Sequence, residues 1–284
     1  MTTVVIKIGG GEGIDPCAAA PEIAGLVRSG LRVVLVHGGS HETNELQAAL
    51  GHPAQTIVSP SGNQSRRTDR RTLEIFEMAY CGKVNKGVVE SLRTRGVDAV
   101  GLSGLDAGLW IGARKGAIRA VEDGRTVIIR DDYSGRVERV DAAFLNLLLD
   151  AGRVPVLTPP AGTPEGVAIN VDADRAAAAT AAALGADELL LLSNVRGLLR
   201  DPADPASLIE SVGAGTIGIA RDAAKGRMKN KVLAAEEALL GGVGRVVIGS
   251  AGGPPHEIYG AIARARDGAG TVFSGSARTE GACS

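Results

Sequence analysis

The chain has 284 residues, a formal net charge of −1 at pH 7 and only 2% aromatic residues. That length suits one large domain or two fused lobes. The balanced charge offers no field to hold DNA or RNA, and so few aromatics offer no stacking platform for single strands. No apolar run reaches the roughly 18 to 20 residues of a membrane span, and the opening MTTVVIKIGG reads as a strand rather than a signal peptide. Cys17, Cys81 and Cys283 are odd in number and scattered. They fit reduced thiols in a cytoplasmic protein better than a disulfide framework or a zinc site.

Short β-branched apolar runs alternate with Ala/Leu-rich helical stretches. TVVIKI reads as a strand entering GGGEG, and PCAAAPEIAGLVRSG as a helix ending at Gly30, a C-cap. LRVVLVH is a second strand closed by GGS, and HETNELQAALG a helix. Residues 71 to about 95 read as one long helix, then VDAVGLSG as a strand and glycine turn. From 111 to 140 the pattern alternates, with Asp123-Gly124 and Ser134-Gly135 as turn signals, so an antiparallel hairpin or meander is expected. Asp141 caps the helix AAFLNLLLDAG, and RVPVLTPP is a strand. VDADRAAAATAAALGA is a helix, DELLLLS a buried strand, GRMKNKVLAAEEALLGG a helix and VGRVVIGS a strand. GTVFS is a last edge strand, RDPADPAS a polar loop, and 276–284 a disordered tail. Buried strands alternating with helices predict an α/β fold, a mostly parallel sheet with helices on both faces.

Three strand-to-glycine turns stand out: KIGGG (7–11), HGGS (37–40) and GLSGLD (101–106). Glycines at the carboxyl ends of parallel strands let backbone N–H groups approach an anion. One such turn alone is ordinary βα chemistry; two near the N-terminus, one preceded by a lysine, point to phosphate. Neither the Walker pattern nor the GxGxxG fingerprint is present. Lys7 in an apolar strand is costly unless its ammonium emerges at a polar site. Asp172 fits an N-cap, whereas Asp174 can face inward and orient lysines. Lys229 and Lys231 point to different faces of their helix, so at most one enters a site. SRRTDRRTLEIFEMAYCGKVNK (65–86) places four arginines within six positions. For Arg67, Arg70 and Arg71 a solvated helix start is the plain reading, yet cations there oppose the helix macrodipole and point to an external anion.

KIGG, HGGS, NVDAD, LLSNVRGLL and GRMKNKV, in this order and spacing, resemble the amino acid kinase family, and most its N-acetylglutamate kinase branch, from Val4 to about Val272. SRRTDRRTLEIFEMAYCGKVNK, GLSGLD, LTPPA and SNVRGLL resemble one sub-branch, the LysZ type. Those kinases phosphorylate 2-aminoadipate held on LysW, a small acidic amino-group carrier protein; several relatives accept carrier-bound glutamate. The resemblance implies a three-layer αβα sandwich with a β-hairpin at the acceptor site. It implies an acceptor lobe with a dimer interface (1–169) and an ATP lobe (170–275).

It also implies phosphoryl transfer from ATP to a side-chain carboxylate, giving an acyl phosphate. A carboxylate is already ionised at pH 7, so positioning and cations carry the chemistry rather than a base. By resemblance Lys7 contacts the transferring group and Lys231 the leaving side of ATP. Asp174 holds both lysines, and the N–H groups of Gly10 and Gly39 line the phosphate path. Gly9, Ser193, Asn194, Gly197, Leu198 and Met228 join Lys7, Gly10 and Lys231 around the nucleotide. Mg²⁺ rides on ATP with no protein carboxylate cage. Arg66 of RRT, with Asn170 and Gly38 or Gly39, clamps the acceptor's α-carboxylate, a task that suits a bidentate guanidinium.

The hairpin segment carries Arg114, Lys115, Arg119, Arg125 and Arg130, interspersed with Glu122, Asp123, Asp131 and Asp132. By residues alone it is either a solvated mixed-charge hairpin or a basic docking rim; the resemblance favours docking of the acidic carrier, through Arg114, Lys115, Arg119 and Arg130. Asn194 stands where acetylglutamate kinases commonly have Asp, and GRMK replaces their GGM. The first strand begins by about residue 3, leaving no room for the N-terminal helix of the arginine-inhibited hexamers, so a homodimer without arginine feedback is expected. A free N-acetylglutamate kinase is the alternative reading. A dead sensor is disfavoured by intact Lys7, Asp174 and Lys231, and a Rossmann oxidoreductase by the missing fingerprint. Aminoadipate and glutamate differ by one methylene, worth only about 1–3 kcal/mol, so the acceptor and its pathway, lysine, arginine or specialised, stay open.

Overall fold

The computed structural model describes residues 1–60, 62, 64–122, 125–251 and 261–275. The expected turn at Asp123-Gly124, Cys283 and the tail 276–284 lie outside the described residues. One sheet of eleven strands forms the spine. Across it run Ser211–Gly213, Thr271–Ser274, Arg245–Ser250, Glu188–Ser193, Thr3–Ile8, Arg32–His37, Val154–Gly162, Trp110–Arg114 and Gly135–Val140, with Ala99–Gly104 and Ala168–Ile169 also pairing to Val154–Gly162. The central strands are parallel. Antiparallel pairs join only at the flanks, where Arg245–Ser250 meets Thr271–Ser274, Trp110–Arg114 meets Gly135–Val140, and Val154–Gly162 meets Ala168–Ile169.

Period-two alternation divides each central strand between two cores. Val5, Val34, Val36, Leu189 and Leu191 pack against the helices Ala142–Asp150, Ala173–Ala183 and Met228–Leu240. Val4, Ile6, Leu35, Leu190 and Val247 pack against Ala20–Arg28, Asn85–Arg93 and Ala261–Arg266. Strands buried on both faces explain their unbroken apolar runs, and the result is the expected three-layer αβα sandwich. No helix among the described residues is long and apolar enough to cross a membrane.

Several elements differ from the sequence reading. The long helix over 71–95 is two α-helices, Arg70–Glu77 and Asn85–Arg93, joined through a π-helical stretch, Met78–Val84. Ser134-Gly135 is not a turn: Gly135 opens a strand, and a Cβ there would lie 2.4 Å from Ala113 O. Close backbone approach, not a positive φ, explains that glycine. The alternating segment therefore splits. Its ends enter the main sheet, and Ile118–Glu122 with Arg125–Ile129 form a separate antiparallel pair. Thr271–Ser274 is not the edge, because Ser211–Gly213 lies outside it; three residues are too few to show a strand pattern. A second small antiparallel pair, Thr56–Val58 with Gln64–Arg66, ends at Arg66, and of the arginines read as a helix start only Arg70 and Arg71 lie in the helix, with Arg67 before its Asp69 cap.

Candidate active site

Lys7 follows Val5 on the face that packs against Ala173–Ala183 and Met228–Leu240. Those two helices bring Asp174, in the first turn of one, and Lys231, near the start of the other. Lys7 Nζ lies 2.6 Å from Asp174 Oδ1, and Lys231 Nζ donates to Asp174 Oδ2 at 2.8 Å. All three are buried, at 6 or 7% exposure. Asp172 is the helix cap, accepting from the backbone N–H groups of Asp174 and Arg175 at 3.0 Å. Lys229 is exposed, so the two lysines of GRMKNK do part company.

Burial alone would raise the Asp174 carboxyl, but the two ammonium groups overcome it and hold it well below the carboxylate range. Burial lowers Lys7 too, and Asp174 outweighs it, so Lys7 ends above its ordinary value. Lys231 ends below its ordinary value, because burial and repulsion from Lys7 exceed the attraction of the shared carboxylate. One carboxylate thus neutralises one of two cations. The three side chains together carry one net positive charge at the ends of the parallel strands.

The two glycine turns meet beside this cluster. A Cβ on Gly10 would lie 2.1 Å from Gly39 N and 2.2 Å from Gly38 C, so only glycine lets the turns touch. Gly9 and Gly38 donate their N–H groups to the ladder, at Leu192 O (2.8 Å) and Ile8 O (3.0 Å), whereas Gly10 and Gly39 stand outside it. Ser40 Oγ and His41 N both donate to Gly10 O, at 2.9 and 2.8 Å, locking the turns together. On the next strand, Ser193 Oγ is buried with no hydrogen-bond partner among the described residues. Leu198 N–H donates to Thr271 Oγ1 at 2.8 Å, and Gly197 is packed too closely on Leu208 and Thr271 to accept a Cβ. Asn194 is exposed, and Met228 opens the helix that carries Lys231.

Arg66 reaches back to this corner. It donates to Gln47 Oε1, to Asn44 Oδ1 at 2.6 Å and to Ser40 O at 3.2 Å, one residue from Gly39. Asn170 Nδ2 donates to Thr68 Oγ1 at 3.1 Å, which links it to the same RRT segment. The other arginines have partners in the chain: Arg67 with Asp131, and Arg70 and Arg71 with Glu74. On the rim, Arg114 is committed, donating to Asp132 O at 2.8 Å and stacking over the Tyr133 ring at 3.8 Å. Lys115, Arg119 and Arg130 are exposed.

Four residues escaped the sequence reading. Asp132, 1% exposed, accepts from Thr68 N–H at 2.9 Å and Ser134 N–H at 2.7 Å, tying the arginine segment to the strand that follows the hairpin. Tyr80, in the π-helical stretch, stacks on Phe76 and packs against Gly39. Burial pushes its phenol up, against a hydrogen bond from the Gly39 backbone and the charges of Arg66 and Lys7. His37 and Asn85 are buried beneath the second glycine turn. A tyrosine among apolar helix positions reads as core, and the other three have partners far along the chain, so no local pattern marked them.

The amino acid kinase family model matches residues 2–250. The chain belongs to the amino acid kinase family. It is 54% identical to a “[LysW]-aminoadipate kinase” of Deinococcus radiodurans, over 96% of this chain and 92% of that one. It is 49% identical to the Thermus thermophilus protein of the same name, over 95% and 99%. An acetylglutamate kinase of Pelotomaculum thermopropionicum is 37% identical, over 85% and 82%. Carbamate kinase from Giardia lamblia bound to AMP-PNP superposes with a TM-score of 0.66 at 19% identity, over 96% and 98% of the two chains, and shares the fold.

Proposed function

We propose that this family member transfers the γ-phosphoryl group of ATP to the side-chain carboxylate of 2-aminoadipate, or glutamate, held by its amino group on a small acidic LysW-like carrier protein. The observation that carries the reading is the buried Lys7–Asp174–Lys231 cluster, with one cation in excess, beside glycine turns packed backbone to backbone. The two relatives near half identity supply the acceptor class.

The reaction brings an anionic phosphate chain to an anionic acceptor, so it needs cations and rigid donors rather than a base. Lys7 stabilises the transferring group and Lys231 the leaving phosphate. Asp174 fixes the separation of the two ammonium groups. The Gly10 N–H faces the phosphate path, and the Gly39 N–H, which meets the Tyr80 phenol, borders it. The unpartnered Ser193 Oγ and the uncompensated cation fit ATP as the substrate on this side. Gly9, Asn194, Gly197, Leu198 and Met228 surround the rest of the nucleotide, and magnesium enters with it as MgATP. Among the described residues no three His, Cys, Asp or Glu gather as a metal site.

Arg66, held by Gln47 and Asn44, takes the acceptor's α-carboxylate with Asn170 and the Gly38–Gly39 turn. Residues 1–169 then serve the acceptor and the dimer interface, and 170–275 the nucleotide. Lys115, Arg119 and Arg130, with Arg114 bracing the hairpin base, steer the acidic carrier. The protein works in the cytoplasm as a homodimer, and a hexamer by light scattering contradicts that assembly.

The second reading, phosphorylation of free N-acetylglutamate, draws on the 37% identical acetylglutamate kinase. ADP release with MgATP separates the two. Turnover on carrier-bound aminoadipate or glutamate, and not on free N-acetylglutamate, supports the carrier, and the better acceptor names the substrate. Equal or better turnover on N-acetylglutamate overturns it.

A further inference from the structure

His37 ends the second strand on the face opposite Lys7, where Asn85 of the helix Asn85–Arg93 approaches it. Both side chains are essentially inaccessible, at 0 and 1%. Buried polar groups of this kind are kept for their hydrogen bonds. The Asn85 amide donates to Val156 O at 3.0 Å, which fixes its NH₂ edge toward the strand. That same edge lies 3.0 Å from His37 Nε2. Nε2 must therefore accept, so the imidazole is neutral and carries its proton on Nδ1. Nδ1 lies 3.0 Å from Gly38 O, to which it donates. Burial, with Lys7 nearby, pushes the imidazole down to about 4, in keeping with the neutral form.

The tautomer matters because of what lies across the peptide. The Gly38–Gly39 bond is trans, so the Gly38 carbonyl and the Gly39 N–H point to opposite edges of one plane. Gly10 presses on that plane, and the Gly39 N–H is the group that meets Tyr80, within the field of Arg66 and Lys7. Two glycines in a row resist rotation poorly by themselves. A donor on the carbonyl edge adds to the ladder bond of Gly38 N–H and fixes the tilt of the peptide plane.

We infer that His37, locked as its neutral Nδ1–H tautomer by Asn85, is a positioning residue that holds the Gly38–Gly39 peptide, and with it the second glycine turn, in place beside the transferred phosphoryl group. The inference rests on the kinase reading above. A chain of fixed dipoles, Val156 O to Asn85 to His37 to Gly38 O, runs from the sheet to the phosphate path and needs no reorganisation during the reaction.

Two measurements test it. In the first, wild type, His37→Leu and His37→Asn are assayed by ADP release on the acceptor the wild type prefers, with melting temperatures measured alongside. Asparagine can place an N–H where Nδ1 stood; leucine cannot. His37→Leu is expected to lower kcat about a hundredfold, the loss typical of a misplaced catalytic group, with the KM for ATP unchanged. His37→Asn is expected to recover most of that loss. Unchanged kcat in His37→Leu, or equal loss in both variants, overturns the inference. In the second, which needs no leucine variant to fold, ¹⁵N NMR of histidine-labelled wild type at pH 7 reads the tautomer. The signal that His37→Asn removes is expected to be neutral Nδ1–H. An Nε2–H or imidazolium signal, alongside wild-type turnover, overturns the positioning role alone. No turnover on any acceptor overturns the kinase reading and this inference with it.

Discussion

Asp174 carries more of the site than any other single residue, because two buried ammonium groups share its oxygens. Replacing it with asparagine keeps the shape and removes the charge that makes burial of Lys7 and Lys231 tolerable. Breaking a buried pair in this way costs about 3–5 kcal/mol. Asp174→Asn is therefore expected to lose activity and to unfold at clearly lower urea; wild-type stability in that variant contradicts the cluster as drawn. His37 sets the pH response. Its folded value is depressed from 6.5 to about 4, so the unfolded chain binds the extra proton first. The stability it contributes is present above pH 6.5 and lost as pH falls toward 4, on the order of 3 kcal/mol. Urea titrations across that window should show the loss in wild type and not in His37→Asn. Asp174, depressed further, adds its own loss only below the ordinary carboxylate value of 3.8.

At the scale of elements, the strands and their glycine turns were legible because parallel buried strands write themselves as apolar runs. Lys7 was legible as the exception inside one of them. The inward Asp174 and the divergent Lys229 and Lys231 followed from helix geometry. The π-helical stretch was not legible, since MAYCGKV suits an ordinary helix equally well; such stretches often mark functional sites, and this one carries Tyr80 to Gly39. The arginine cluster misled in part. Arg70 and Arg71 find Glu74 one turn on, but Arg67 finds Asp131, 64 residues away. His37 and Asn85 were hidden for the same reason, as partners that only the folded sheet brings together. Gly10→Ala tests the turns directly. Its Cβ meets backbone, not a side chain that can swing aside, so ATP turnover should fall steeply while the fold persists. Near-normal turnover would show that the turns need not touch.

At the scale of the molecule, the near-neutral net charge hides a local basic group: exposed Arg119 lies in the strand pair that stands apart from the main sheet, and exposed Lys115 and Arg130 flank it. If that hairpin receives an acidic carrier, reversing these three charges to Glu should raise the KM for the carrier-bound acceptor, most at low salt. The KM for ATP should not move. An unchanged acceptor KM would leave the hairpin as a solvated surface.

The proposed reaction moves a phosphoryl group from ATP to a side-chain carboxylate on a carrier. The measurement that tests it most directly is mass spectrometry of the acceptor after reaction with MgATP and trapping with hydroxylamine, which converts an acyl phosphate to a hydroxamate. A hydroxamate is expected on the side chain of carrier-bound aminoadipate or glutamate, and none without ATP. A hydroxamate formed only from free N-acetylglutamate, or ADP released with no trapped acyl group, would contradict it.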